Sequence, residues 1–303
     1  MELAEVRDLE ITVLVDNFYD GLLPAAADVE RYGIVADGRI APPLHAEHGL
    51  SYLISWVTDR RHQLLVDFGL SPRGVRENAE RMGVDLTQVE ALVLSHGHFD
   101  HYLGLGELLP LLPKGIPFYT GDDVFRHRYL SYAGTTHDLG ELSRELLAGF
   151  DLRIVADPAE ILPGALVSGQ ITRRTAFELG SPATLVEAGD DIRQDDFPGE
   201  QALGFRTRDG LVVVSSCAHA GIVNTVLHLQ ETSATDRVRA VIGGFHLSGA
   251  PEGKVAATVG AMREIAPERL VPMHCTGPQA ERAFHAALPE ATAVNAAGSR
   301  WHF

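Results

Sequence analysis

Short apolar runs that end at polar or glycine-containing loops recur along this chain and predict its strands. Residues 11–15 (ITVLV) predict a first strand, and SYLISWV and QLLV, joined by the turn DRRH, predict a hairpin. Ser71-Pro72 predicts the start of a helix that runs to about Met82. The run 91–94 then predicts a buried parallel strand, followed from Tyr102 by a short helix.

The middle of the chain, from about residue 113 to 201, has a less regular pattern. TGDDVFRHRYL predicts a helix after an aspartate cap, and FDLRIVA and GALVSGQI predict strands. Residues 187–200 hold six acidic side chains and one basic one. Such a density of acids favours a solvated loop, although a lid or a loop that faces a metal is the alternative.

The last third of the chain alternates regularly between strands and helices. Three successive apolar strands each end in a loop that carries a histidine, namely His219, His246 and His274, and each loop leads into a helix. Strands that alternate with helices predict βαβ units, whose parallel strands place their carboxyl ends on one rim of a sheet. We therefore expect an α/β fold in one domain over residues 1–303, with the less regular segment 113–201 as an insertion.

Composition excludes several classes of protein. The chain has 303 residues, 45% of them hydrophobic, and a formal charge of 25 − 41 = −16. An acidic chain without a long basic run is a poor partner for nucleic acids and anionic membranes. Two cysteines, Cys217 and Cys275, do not make a disulfide scaffold, and the acidic amino terminus is not a signal peptide. No apolar run reaches the length of about 20 residues that spans a bilayer, so we expect a cytoplasmic protein.

The loop after the strand at 91–94 concentrates groups that bind divalent metals. His96, His98, Asp100 and His101 lie within six positions. Imidazole nitrogens and a carboxylate oxygen suit zinc, manganese or iron. In an extended loop the side chains of His96 and His98 point to the same side. Asp100 and His101 then point in a second direction, which favours a second ion. The alternative is a polar loop in which Asp100 caps the following helix.

The motif His96-Gly97-His98-Phe99-Asp100-His101 looks like the signature loop of the metallo-β-lactamase superfamily. Further blocks make the resemblance narrower. They are similar to a subgroup typified by 7,8-dihydropterin-6-yl-methyl-4-(β-D-ribofuranosyl)aminobenzene 5′-phosphate synthase, and they are EHGLS (47–51), SGQI (168–171) with Phe177-Glu178, CAHAGIVN (217–224), GGFHL (243–247) and HCTG (274–277).

This resemblance implies an αββα sandwich with two divalent ions at one edge, zinc first and manganese or iron as alternatives. His219 resembles the distal histidine ligand of the superfamily, and His274 resembles its last ligand. The bridging carboxylate has no obvious equivalent, because Cys217 and Gly244 stand at the strand ends where it would fall. Glu200 or Asp196 could supply a carboxylate. Cys217 could act as a thiolate ligand, although a small buried packing residue is the favoured interpretation.

The predicted chemistry is hydrolysis of a small anionic substrate, such as a phosphoester, by a metal-activated hydroxide. Asp100 would bind metal and orient the water, and His246 would donate a hydrogen bond or a proton to the substrate. Weaker candidates for the same pocket or its support are Asn17, His48, Asp67, Glu200 and Cys217. The alternatives are a transferase that joins a dihydropterin diphosphate to an aminobenzene ribosyl phosphate acceptor, and a non-catalytic metal sensor.

Overall fold

The computed structural model describes residues 3–36 and 38–303. Its helices are α1 Gly74–Arg81, α2 Phe99–Tyr102, α3 Leu105–Leu108, α4 Ile222–Ser233, α5 Glu252–Ile265 and α6 Pro278–Ala287. Its strands are β1 Arg7–Val15, β2 Val29–Glu30, β3 Val35–Ala36, β4 Arg39–Ile40, β5 Ser51–Val57, β6 Arg61–Val66, β7 Ala91–Val93, β8 Pro117–Thr120, β9 Arg128–Tyr132, β10 Thr135–Gly140, β11 Asp151–Ile154, β12 Ala159–Leu162, β13 Ala165–Val167, β14 Thr184–Ala188, β15 Asp191–Gln194, β16 Leu203–Thr207, β17 Gly210–Val214, β18 Val238–Gly244, β19 Arg269–Met273 and β20 Arg300–His302.

Two large sheets carry the fold. The first has eight strands in the order β11-β8-β7-β6-β5-β1-β20-β2, and the second has six in the order β12-β13-β16-β17-β18-β19. In the first sheet β6, β7, β8 and β11 run parallel, and in the second β17, β18 and β19 do. The predicted hairpin is β5–β6 and the three predicted βα pairs are β17–α4, β18–α5 and β19–α6. The strand β20, which pairs with β1, was not predicted.

Three separate apolar clusters show that the molecule has four layers. The central cluster lies between the sheets and contains Tyr52, Trp56, Phe205 and Trp301, all completely buried. A second cluster joins the six-stranded sheet to α4, α5 and α6, and a third joins the eight-stranded sheet to α1 and α3. Burying one large apolar side chain stabilises a fold by about 1.5–3 kcal/mol, so each interface is held by many such contributions. The predicted αββα sandwich is confirmed.

The segment 113–201 contains strands of all three larger sheets. β8 and β11 extend the first sheet, β12 and β13 belong to the second, and β10-β9-β14-β15 form a separate four-stranded sheet. The helix predicted over TGDDVFRHRYL is wrong: a short 3-10 turn at Asp122–Phe125 is followed by β9. The cause is Arg128, whose buried guanidinium bonds to Asp123 and Asp195 at 2.8 Å each, while the β9 backbone pairs with β14.

The acidic stretch 187–200 is only partly the solvated loop that we favoured. Its first part forms the end of β14 and the exposed strand β15, whereas Asp195, Phe197 and Glu200 are buried near the signature loop. Among residues 3–36 and 38–303, no helix is long and apolar enough to cross a bilayer.

Candidate metal centre

The loops that follow β7, β17, β18 and β19 meet at one edge of the two sheets. The signature loop leaves β7 of the first sheet and enters α2, while His219, His246 and His274 follow the three parallel strands of the second sheet. Parallel strands expose their carboxyl ends at the same edge, so residues far apart in the sequence converge there. The structure thereby brings together all six of the residues predicted to bind metal.

Three histidines form the first cluster of donors. One ring nitrogen from each of His96, His98 and His219 lies within 4.8 Å of the others. The Nε2 atoms of His96 and His219 are 3.2 Å apart. Phe197 stacks on the His219 ring with centroids 3.8 Å apart and covers the cluster from the side. Three imidazoles directed at one point are the donor set of a catalytic zinc site.

Asp100, His101 and His274 form the second cluster. The Oδ2 atom of Asp100 lies 3.5 Å from Nε2 of His101 and 3.3 Å from Nε2 of His274. The His274 Nε2 atom is buried and makes no hydrogen bond of good geometry with the described residues. His48 stands at the outer edge, with its ring stacked on His274 and its Nε2 atom 3.6 Å from Asp100. Asp100 is thus close to a nitrogen of each of these two histidines, and donor atoms of His48, Asp100 and His274 lie within 4.8 Å of one another.

Cys217 lies between the two clusters. Its Sγ atom is 3.3 Å from Nε2 of His101, and it falls within 4.8 Å of donor atoms of both His96 and His101. The side chain is buried, as the packing interpretation requires, but it occupies the position of a fourth donor. A thiolate at this position would supply the negative charge that the expected bridging carboxylate would bring.

Burial and the neighbouring charges set the protonation of these groups in the metal-free protein. Burial, helped by the surrounding histidines, holds the pKa of His96 and His219 well below the usual range, and burial lowers the pKa of His98 to about 3. Their lone pairs are therefore available to a cation at neutral pH. Burial opposes ionisation of Asp100, yet His101 and His274 hold its pKa well below the usual range.

His274 shows that the second cluster is suited to a cation. Although burial opposes it, the Asp100 carboxylate raises the pKa of His274 to about 9. In the metal-free protein, a proton on His274 thus stabilises its contact with the Asp100 carboxylate. A divalent ion can take the place of that proton. With one cluster of neutral nitrogens and one of two imidazoles and a carboxylate, the residues fit two divalent ions of the zinc type.

Asp67 fixes the signature loop from below. Its carboxylate accepts hydrogen bonds from the Ser95 amide and hydroxyl at 2.8 Å each, and it lies 2.7 Å from Nδ1 of His101. A carboxylate on the far nitrogen of a histidine orients the ring and makes its other nitrogen a better ligand. Asp67 therefore holds the His101 ring in place from below.

Asp16 and Asn17, at the end of β1, fix the His274 loop. The buried Asp16 accepts a hydrogen bond from the His274 amide at 3.1 Å, and the Asn17 side-chain amide donates to the His274 carbonyl at 2.9 Å. These bonds hold His274 at a φ of 51°, which is strained for a residue other than glycine. Of Asp16 and Asn17, the sequence analysis named only Asn17 as a candidate for the pocket or its support.

Glu200, one of the two carboxylates considered for the bridging position, is bonded to the loop that carries His219. Its two carboxylate oxygens accept hydrogen bonds from the backbone amides of His219 and Ala220, each at 2.7 Å. Arg173 holds the same loop by donating to the carbonyls of His219 and Asp196. The Glu200 carboxylate thus positions the loop of the distal histidine.

His246 lies beside the first cluster, and one of its ring nitrogens is within 4.8 Å of donor atoms of both Cys217 and His219. Its ring centroid is 4.1 Å from that of His219, and its Nδ1 atom is buried without a hydrogen-bond partner among the described residues. Its backbone has a φ of 48°. The half-buried ring also lines a groove of about 610 Å³ that includes His48 and His274 and extends along α6. A substrate in this groove would lie against His246.

Comparison with known proteins agrees with this geometry. The family model of the metallo-beta-lactamase superfamily matches residues 46–164, which include the whole signature loop. The chain also aligns over 97% of its length with 99% of a solved metal-dependent hydrolase of the beta-lactamase superfamily, at 27% identity and a TM-score of 0.78. Residues 46–164 thus match the metallo-β-lactamase superfamily, and the whole chain has the fold of a solved hydrolase of that superfamily.

Relatives within the superfamily agree with the narrower resemblance. The chain is 29% identical, over 252 residues, to the 7,8-dihydropterin-6-methyl-4-(beta-D-ribofuranosyl)-aminobenzene-5'-phosphate synthase of Methanocaldococcus jannaschii, covering 80% of this chain and 85% of the relative. A solved diphosphatase from the PhnP family has the same fold at 16% identity and a TM-score of 0.50, with 98% of each chain covered.

Three supporting residues were missed by the sequence analysis. Asp16 ends a buried strand in the same way as Asp67, and that position could have drawn attention to it. Arg173 and Phe197 lie in loops without a recognisable pattern, and nothing in the sequence indicated that they contact the His219 loop.

Proposed function

We propose that this chain is a metal-dependent hydrolase that acts on a small anionic substrate, with a phosphoester as the preferred class. The observation that carries the proposal is the pair of neighbouring donor clusters, of which the second reaches the groove through His274. The 27% identical neighbour, described as a metal-dependent hydrolase, supports the same class of reaction. The net charge of −16 does not favour a nucleic-acid substrate.

The residues divide into two sets of ligands. His96, His98 and His219 would hold one divalent ion. Asp100, with the Nε2 atoms of His101 and His274 at 3.5 and 3.3 Å from its Oδ2 atom, would hold the other, and Cys217 lies between the two sets. Two such ions activate water as a nucleophile and stabilise negative charge on a substrate oxygen.

The other groups of the site act directly on water and substrate. The ionised Asp100 carboxylate can accept a hydrogen bond from the attacking water and so orient it. His246, at the mouth of the groove, can donate a hydrogen bond or a proton to the leaving group. His48 is largely exposed beside Asp100 and can contact an anionic group as it enters.

A transferase is the second candidate, because the 29% identical relative from Methanocaldococcus jannaschii is a synthase. In that reaction ions held by the same residues would stabilise a departing diphosphate, and the groove would have to hold an aromatic acceptor beside the pterin. The two functions share the site but differ in the nucleophile and in the attacked atom: water would attack phosphorus in the hydrolase, whereas the acceptor would attack the carbon that carries the diphosphate in the transferase.

A substrate panel on metal-loaded protein tests the proposal. It contains bis(nitrophenyl) phosphate, a simple lactone, and a dihydropterin diphosphate with and without an aminobenzene ribosyl phosphate. Turnover of the phosphodiester that is lost in His98→Ala supports the hydrolase. Product formation only when the pterin diphosphate and the acceptor are both present establishes the transferase. Full metal loading with no turnover on the panel contradicts both and leaves a metal sensor.

A further inference from the structure

The separate sheet β10-β9-β14-β15 delivers a buried cation to the wall of the metal centre. Arg128, the first residue of β9, is completely buried. Its Nε atom donates to Asp195, which directly follows β15, and its Nη2 atom donates to Asp123, at 2.8 Å each. A guanidinium held by two buried carboxylates has a fixed orientation, because the loss of either bond would leave an unpaired buried charge.

The guanidinium of Arg128 lies against the glycine of the signature loop. Its Nη1 atom is 3.5 Å from the Gly97 carbonyl oxygen. A Cβ atom at position 97 would stand 2.2 Å from the same nitrogen and 2.6 Å from the carbonyl oxygen of Val124. Only glycine therefore fits at this position while Arg128 is in place. The guanidinium thus sets the backbone from which His96 and His98 extend.

The same ion pair holds the aromatic side of the first cluster. Asp195 accepts a further hydrogen bond from the Phe197 amide at 2.8 Å, which fixes Phe197 at a φ of 48°, strained for a residue other than glycine. The Arg128 Cζ atom lies 5.5 Å from the centroid of the Phe197 ring. That ring stacks on His219 at an interplanar angle of 10° and meets the His98 ring edge-on, with centroids 5.0 Å apart.

We propose that Arg128 is a positioning residue of the first metal site, on which it acts through Gly97 at one side and Phe197 at the other. The segment 113–201, which supplies Arg128 and both of its carboxylates, is thereby a part of the metal centre. The second cluster is held instead by Asp67 and by the end of β1, so the effect should be confined to the first ion. This inference rests on the two sets of ligands in the proposed function.

The test is the zinc affinity of two backgrounds that each keep one site, measured by competition with a chelating dye. His274→Ala keeps the first cluster, and His98→Ala keeps the second. Arg128→Lys is added to each, because lysine keeps the charge but lacks the planar fork that bonds both carboxylates beside Gly97. We expect zinc binding to weaken by about 10–100-fold in the first background, the usual effect of losing a group that orients ligands, and by less than about twofold in the second.

Phe197→Leu is the second variant, because leucine keeps an apolar side chain but removes the ring that stacks on His219. It should weaken the first site selectively as well, and it decides the question alone if Arg128→Lys does not fold. The matched control is Phe118→Leu, in which an equally buried phenylalanine of β8 is replaced, and both affinities should be unchanged.

Proton NMR of the metal-free protein reports the same link without metal or turnover. Protons stacked over an aromatic ring resonate upfield, so the ring signal of His219, identified by its absence in His219→Ala, should be shifted upfield in the wild type. We expect this shift to be lost in Phe197→Leu and in Arg128→Lys, and to remain in Phe118→Leu.

The outcomes separate this inference from the proposed function. Equal weakening of both sites would show that Arg128 is merely structural, and unchanged affinity of the first site in Arg128→Lys and Phe197→Leu would also overturn the positioning role. The phosphodiester assay above is read independently. Absence of turnover in metal-loaded wild type would contradict the hydrolase proposal, while a selective loss of the first site would still support the role of Arg128.

Discussion

His96 and His219 face each other with their Nε2 atoms 3.2 Å apart, although 123 residues separate them in the sequence. Burial lowers the pKa of both rings well below the usual range, so at neutral pH neither carries a charge. Each neutral ring can donate through only one of its nitrogens. Two nitrogens that converge in this way, with His98 beside them, are arranged for a shared cation.

Cys217→Ser tests whether the thiol is a ligand. Because Sγ lies 3.3 Å from the His101 nitrogen and close to His96, we expect a thiolate ligand, rather than the packing role that the sequence favoured. Loss of supporting residues alone weakens metal sites by about 10–100-fold, so loss of a ligand should weaken binding by about tenfold or more. The measurement is cobalt titration, in which the wild type should show a thiolate charge-transfer band that the serine variant lacks. Unchanged affinity and no such band would establish the packing role.

His246→Ala separates a catalytic group from a ligand. His246 lies at the mouth of the groove with a free Nδ1 atom, so we expect metal content and fold to be retained and turnover to fall about 100-fold or more. Metal content and turnover are measured on the same preparation, with His137→Ala, an exposed residue of β10, as the control. If His246→Ala loses an ion, His246 is itself the ligand that takes the place of the bridging carboxylate.

Glu200 predicts how the stability of the metal-free protein depends on pH. Burial raises its pKa from 4.5 to about 7, despite the two backbone amides that it accepts from. A raised pKa means that the folded state binds this proton more tightly than the unfolded state. The contribution of Glu200 to the free energy of unfolding is therefore full at low pH and is lost as pH rises from about 4.5 through about 7.

Urea unfolding of metal-free wild type and Glu200→Gln between pH 5 and 8 measures this contribution. The histidines titrate in both proteins, so the difference between the two curves isolates Glu200. We expect the wild type to lose more stability than the variant as pH rises. Parallel curves would show that the carboxyl titrates in the folded state as it does in water.

The sequence was sufficient to predict the layers of the fold and the edge of the sheets at which the candidate donor residues meet. The hairpin β5–β6 and the alternation of β17 to α6 are local patterns, and the histidines after β17, β18 and β19 mark one edge because parallel strands share a direction. The fold around Arg128 was not predictable, since its partners Asp123 and Asp195 are brought together only by the tertiary structure. The contacts of Glu200 were not predictable either, because the local sequence does not show that its carboxylate accepts hydrogen bonds from two distant backbone amides.

The central claim is that the two donor clusters hold two divalent ions, and elemental analysis of protein purified without chelator and reloaded with zinc tests it most directly. We predict about two ions per chain for the wild type and for the control His137→Ala, and a loss of at least one ion in His219→Ala, which removes a nitrogen from the first cluster. The midpoint temperature of thermal unfolding should fall together with the metal content, because metal binding to the folded state adds to its stability. Wild-type protein that stays metal-free after reloading, or His219→Ala that keeps both ions, would contradict the account.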